Sequence, residues 1–63
     1  MSKLAYAAVR EALQSLRQTA RSRAALYWGY FKDTEAEDDR DRALRFDAEV
    51  ALYDQLLVSL EGM

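Results

Sequence analysis

Cysteine, histidine, proline and isoleucine are all missing from the 63 residues, and glycine occurs only twice. Without cysteine there is no disulfide, and without cysteine or histidine there is no structural zinc site. General acid–base and nucleophilic catalysis draw chiefly on histidine, cysteine or a base-activated serine. The four serines (Ser2, Ser15, Ser22 and Ser59) have no histidine to activate them, and no glycine-rich phosphate loop occurs. These absences predict a non-enzymatic protein with no cofactor and no metal site. No apolar run approaches the roughly 20 residues that span a bilayer, and the N-terminal stretch lacks the uninterrupted apolar region of a signal peptide. The expectation is therefore a cytoplasmic protein without a membrane partner.

What is present favours helix. Eleven alanines and nine leucines stand against three valines, a balance of good helix formers over strand formers. A chain this short has a marginal core unless something supplements it, and oligomerisation is the remedy left once disulfides and metals are excluded.

Two arms repeat one device. Positions 6, 9, 13, 16, 20, 23, 27 and 30 read Tyr, Val, Leu, Leu, Ala, Arg, Tyr, Tyr, and positions 36, 39, 43, 46, 50, 53, 57 and 60 read Ala, Asp, Ala, Phe, Val, Tyr, Leu, Leu. Alternating steps of three and four define a heptad seam. Between the arms, Thr34 followed by Glu37 has the spacing of a capping box that starts a helix. The pattern predicts an all-α, coiled-coil-like antiparallel two-helix hairpin as a single domain over 1–63. Helix 1 is expected over about 3–32, opened by Ser2, the turn at about 32–34, and helix 2 over about 35–61, ended by Gly62.

Charge is divided between the arms. Residues 1–32 carry six Lys or Arg and one Glu, whereas residues 33–63 carry three Arg and ten Asp or Glu, for a net charge of −2. A reversal at 32–34 predicts the ion pairs Lys3–Glu61, Arg10–Asp54 and Arg17–Asp47, with an Arg23–Asp39 contact near the turn and Tyr27 beside it. The acidic run Asp33, Glu35, Glu37, Asp38, Asp39, Asp41 lacks the turn-forming glycine and terminal glutamate of an EF-hand loop. Its expected role is to complement the dipole at the start of helix 2.

Beside the helix 1 seam runs a stripe of small residues, Ala5, Ala8, Ala12, Ser15, Thr19 and Ser22, closed by Leu26; Leu52 and Leu56 extend the corresponding stripe on helix 2. One hairpin cannot cover both a seam and the stripe next to it. A dimer of hairpins can, which predicts a homodimeric four-helix bundle with these residues at its interface. Trp28, Phe31 and Leu44 fall outside the seam near the turn and are candidates for binding a larger protein, since tryptophan combines large apolar area with a donor.

The expected function is thus that of a small acidic interaction module, an adaptor or inhibitor. An exposed band of Arg10, Gln14, Arg17, Gln18 and Arg21 offers a second reading, in which paired helix 1 faces grip a nucleic-acid backbone. In length and architecture, though not residue by residue, such a dimer resembles the plasmid-encoded Rop-type RNA-binding hairpins, and that resemblance implies an RNA partner. A third reading is heteromeric: the small stripe with Leu52 and Leu56 receives another protein's helix, as in small secretion chaperones.

Overall fold

The computed structural model describes residues 2–62, in two helices, α1 (Lys3–Thr34) and α2 (Glu37–Glu61), folded back on one another. No strand occurs among the described residues. The hairpin is a rod of 48 × 15 × 11 Å. α1 begins as expected, with the Ser2 hydroxyl accepting the Ala5 N–H at 3.1 Å. α2 has Glu37, Asp38 and Asp39 in its first turn, where carboxylates complement the exposed N–H groups and the helix dipole.

The reversal falls later than the sequence pattern predicts, and the Thr34–Glu37 capping box does not form. α1 continues through Thr34, and the chain turns at Glu35 and Ala36, the latter capping α2 without a side-chain bond. The Thr34 hydroxyl is engaged locally instead. It accepts the Ala36 N–H at 3.2 Å and lies 2.9 Å from both the Tyr30 carbonyl and the Asp39 carboxylate, to one of which at a time it donates its single proton. A threonine hydroxyl that bonds back to the carbonyl four residues earlier does so from within a helix, and Thr34 is accordingly the last residue of α1, not the cap of α2. Glu35 then ends α1 in the left-handed region (φ 56°, ψ 22°), its N–H donating to the Phe31 carbonyl at 2.7 Å. That conformation costs an L-residue about 1 kcal/mol and glycine almost nothing. Glu35→Gly is therefore expected to raise stability by about 1 kcal/mol, read as a higher urea midpoint at unchanged slope.

The helix 2 seam faces α1 as expected: Asp39, Ala43, Phe46, Val50, Tyr53, Leu57 and Leu60 are all buried or half-buried. Ala36, the seam's first residue, lies instead in the exposed turn. On α1 only half of the seam survives. Tyr6, Leu13, Ala20 and Tyr27 face inward, but Val9, Leu16, Arg23 and Tyr30 are exposed, and Arg17, Ala24 and Phe31 take the covered places. The rotation has a physical reason in Arg23. Keeping the predicted face would bury its guanidinium, at a cost of several kcal/mol without a dedicated partner. Turning the helix by about one residue buries Ala24 instead and lets Arg23 lie over the Phe46 ring, 5.8 Å from its centroid, with its head in water.

Pairing between the helices shifts accordingly. Arg17 bonds to Asp54, not Asp47, a displacement of seven residues, or about 10 Å at 1.5 Å per residue. Neither Arg10–Asp54 nor Lys3–Glu61 is formed, and Asp39 lies 2.9 Å from the Thr34 hydroxyl and 3.9 Å from Arg42, not against Arg23. The later reversal supplies most of the shift and the rotation of α1 the rest. Around the turn half the aromatics organise the contact: Tyr27 stacks on Phe46 at 5.6 Å, Tyr30 meets Tyr27 edge-on at 5.8 Å, and Arg42 lies 5.7 Å from the Tyr27 centroid.

Candidate functional site

A two-helix rod has little inside. Among the described residues the buried ones are Ala20, Ala24, Ala43 and Leu60, of which only the last is large. The chain exposes 4924 Å², whereas a compact monomer of its 7.2 kDa exposes about 4100 Å². The excess, roughly 800 Å², matches what one partner contributes to a standard protein–protein interface.

Part of the exposed surface is an apolar groove. Val9, Leu13, Leu56, Ser59 and Leu60 line an open groove of about 340 Å³ between the helices near the termini. Leu16, two turns on from Val9, and Leu52, one turn back from Leu56, continue the same flank by helical periodicity. Both are half-exposed, at 48% and 50%. Leu4, Leu26, Tyr30, Leu44 and Val58 are also exposed; Tyr30 lies in the row of Val9 and Leu16 beyond Arg23, and the other four fall away from that row. The groove itself was not visible in the heptad pattern, which placed Val9 and Leu16 inside the hairpin. The signal that they belong outside is Arg23, which shares their helical position and is poorly suited to a core.

The stripe residues Ala5, Ala8, Ala12, Ser15, Thr19, Ser22, Leu26, Leu52 and Leu56 are all exposed, and the groove brings Leu56 onto the flank where Val9 adjoins that stripe. The turn-end residues are divided. Trp28 and Phe31 are half-buried, packed edge to face at 6.0 Å, and the Trp28 indole N–H donates to Asp47 at 2.8 Å. That bond ties the side chain to α2 and uses its only donor. Leu44 remains exposed.

Of the basic band, Arg10, Gln14, Gln18 and Arg21 lie on the surface, while Arg17 is half-buried and held by Asp54. With both side chains a third to a half exposed, this pair is worth less than about 1 kcal/mol. A double-mutant cycle on Arg17→Ala and Asp54→Ala should show a coupling of about 0.5 kcal/mol, against none for Arg10→Ala with Asp54→Ala. Coupling in the second cycle alone would restore the earlier register. The acidic cluster and its neighbours form a second groove lined by Asp38, Asp41, Arg42 and Arg45. All four project from one helix with both signs of charge, so the groove selects no ligand. Among the described residues no cluster of acidic side chains is placed to hold a metal ion, and no helix is long and apolar enough to cross a membrane.

Models of known families, curated proteins and solved structures give no match to this chain.

Proposed function

We propose that the chain is a non-enzymatic protein-interaction module that works as a homodimeric helical bundle and presents its turn end to a larger protein. The observation that carries the reading is the uncovered apolar flank: four half-exposed side chains, Val9, Leu16, Leu52 and Leu56, on a chain that otherwise buries one large residue. Covering that flank with a second copy supplies the core that one hairpin lacks, and self-association requires no other gene product. The turn end, with the first-turn carboxylates of α2 and exposed Leu44 one to two turns further along it, then stays free for a partner. Nucleic-acid binding through the α1 arginines has less support, because Arg17 is engaged by Asp54 within the hairpin and the chain is acidic, with a pI of about 4.9.

Light scattering at micromolar concentration tests the reading. The expected mass is twice the chain's 7.2 kDa. A stably folded monomer at that concentration would overturn it.

A further inference from the structure

The reversal between the helices is made from residues that suit a helix. Phe31 to Asp41 contains no glycine, proline or asparagine, and the two residues outside both helices, Glu35 and Ala36, are among the best helix formers. Glu35 is the one non-glycine residue with positive φ among those described, and Ala36 caps α2 without a side-chain bond. Straightening the chain here releases the left-handed strain and gives the end groups of both helices their partners four residues away. The covered positions are also in phase across the junction. Ala24, Tyr27, Phe31, Asp39, Ala43 and Phe46 are buried or half-buried, and with Glu35 placed between Phe31 and Asp39 they are spaced by threes and fours throughout. From Ala24 to Phe46 the spacing makes two 11-residue repeats, and 11 residues are close to three full turns of straight α-helix. A single helix through Glu35 therefore carries both inner faces on one side.

A straightened chain has lost every contact between α1 and α2, and a second straightened chain restores them. Because the reversal is so short, the Arg17–Asp54 and Tyr27–Phe46 pairs are centred on it or within a residue of it in sequence. Two long helices crossing antiparallel about an axis at Glu35 and Ala36 thus remake the same pairs between chains, and no new interface has to be chosen. We propose that Glu35–Ala36 is an exchange hinge, through which the hairpin converts with rising concentration into a two-chain antiparallel coiled coil, α1 of each chain packed on α2 of the other. Two terms keep the hairpin closed in dilute solution. One is the freedom a chain loses on association. The other is charge: residues 32–42 carry three Lys or Arg and six Asp or Glu, and exchange brings two such segments together at the middle of the rod. Salt screens that repulsion and so favours exchange. The uncovered flank is the same in both forms, so the exchange hinge stands apart from the homodimer reading.

Because the chain has no cysteine, a variant carrying Arg17→Cys and Asp54→Cys reports which chains are joined. The two side chains touch in the hairpin, and a half-exposed pair of this kind adds little to stability. A short flexible bis-maleimide links them within one chain in the hairpin and between two chains after exchange. The protein is refolded from denaturant at micromolar and at millimolar concentration in about 1 M salt, where the Debye length is about 3 Å, then linked and separated on a denaturing gel. Single chains at micromolar concentration and paired chains at millimolar concentration are the expected result. Adding Glu35→Gly relieves the hairpin and penalises the continuous helix, about ten-fold per chain, so the same paired fraction should need about a hundred-fold more protein. Small-angle scattering of the unmodified chain at millimolar concentration should reach roughly 90 Å, the length of residues 3–61 in one helix, against 48 Å for the hairpin. No paired chains at millimolar concentration, or a paired fraction that Glu35→Gly leaves unchanged, overturns the exchange hinge. Either result leaves the homodimer reading to its own test, since hairpins that associate through the flank are still linked within single chains.

Discussion

Replacing Ala43 with leucine is expected to unfold the hairpin, or to lower its thermal midpoint by well over 10 °C. Ala43 has no exposed surface at all, and on α1 Ala20 and Ala24 are 2% and 4% exposed. A fully covered methyl group leaves the facing helix little room for a larger side chain at that position. Aromatic layers flank that point, with Phe46 and Tyr27 already in ring-to-ring contact, so no neighbour can move aside to make room. Three added carbons must either leave a favoured rotamer or push the helices apart, and overpacking of this kind costs typically 1–3 kcal/mol. Helix separation would also loosen the aromatic stack and the Trp28–Asp47 bond, which places the loss at or above the upper end. A single small core rarely supplies more than about 3–5 kcal/mol, so the substitution removes most of the folding free energy. Ala48→Leu is the control, since Ala48 lies on the exposed face of α2 and leucine is a comparable helix former. Far-UV circular dichroism with temperature should show the loss for Ala43→Leu alone. Equal stability of the two variants would mean that the helices do not meet at Ala43.

Much of this architecture is legible in residue order, and the parts that are not share one cause. The α2 seam can be read directly, because from Asp39 to Leu60 its residues at steps of three and four are the ones that face α1. Ser2 reads equally well as a cap. The α1 seam and the turn are different, for there two local rules compete with a non-local one. Heptad spacing puts Arg23 in the core and the capping-box spacing starts a helix at Thr34, yet both are statements about a single segment. The position of α1 around its own axis is decided by whether a guanidinium is buried, and the site of reversal by whether Thr34 bonds backward to Tyr30 or forward to Glu37. Neither choice changes the pattern of apolar letters. A difference of two or three residues at the turn then propagates along the whole antiparallel pair, which is why Arg17 meets Asp54 and Asp47 is left for Trp28. The uncovered flank follows from the same rotation. Val9 and Leu16 become surface residues because Ala24 and Arg17 displace their row from the seam, and the apolar surface that dimerisation would use is created by the step that keeps Arg23 wet.

The second large effect is expected for Leu16→Glu combined with Leu52→Glu, which should turn the dimer into a monomer and leave that monomer poorly folded. Both side chains are about half exposed in one hairpin, so the substitutions bring little direct loss within it. In the dimer each leucine buries its remaining surface, worth about 1 kcal/mol, whereas a glutamate at the same place must be desolvated or exclude the partner. Four such positions per dimer reduce association by at least 4 kcal/mol, or about a thousand-fold in Kd. The consequence for folding follows by mass action. If association stabilises the folded chain, the thermal midpoint of the unmodified protein rises with concentration, and that dependence disappears in the double variant together with much of its helicity. Leu44→Glu combined with Val58→Glu changes exposed apolar residues off the flank by the same chemistry, and should leave mass and melting unchanged. The two pairs thus separate loss of a particular surface from a general effect of added charge. If both double variants remain dimers in light scattering, the flank is not the interface; if both dissociate, association reflects net charge instead of a defined contact between hairpins.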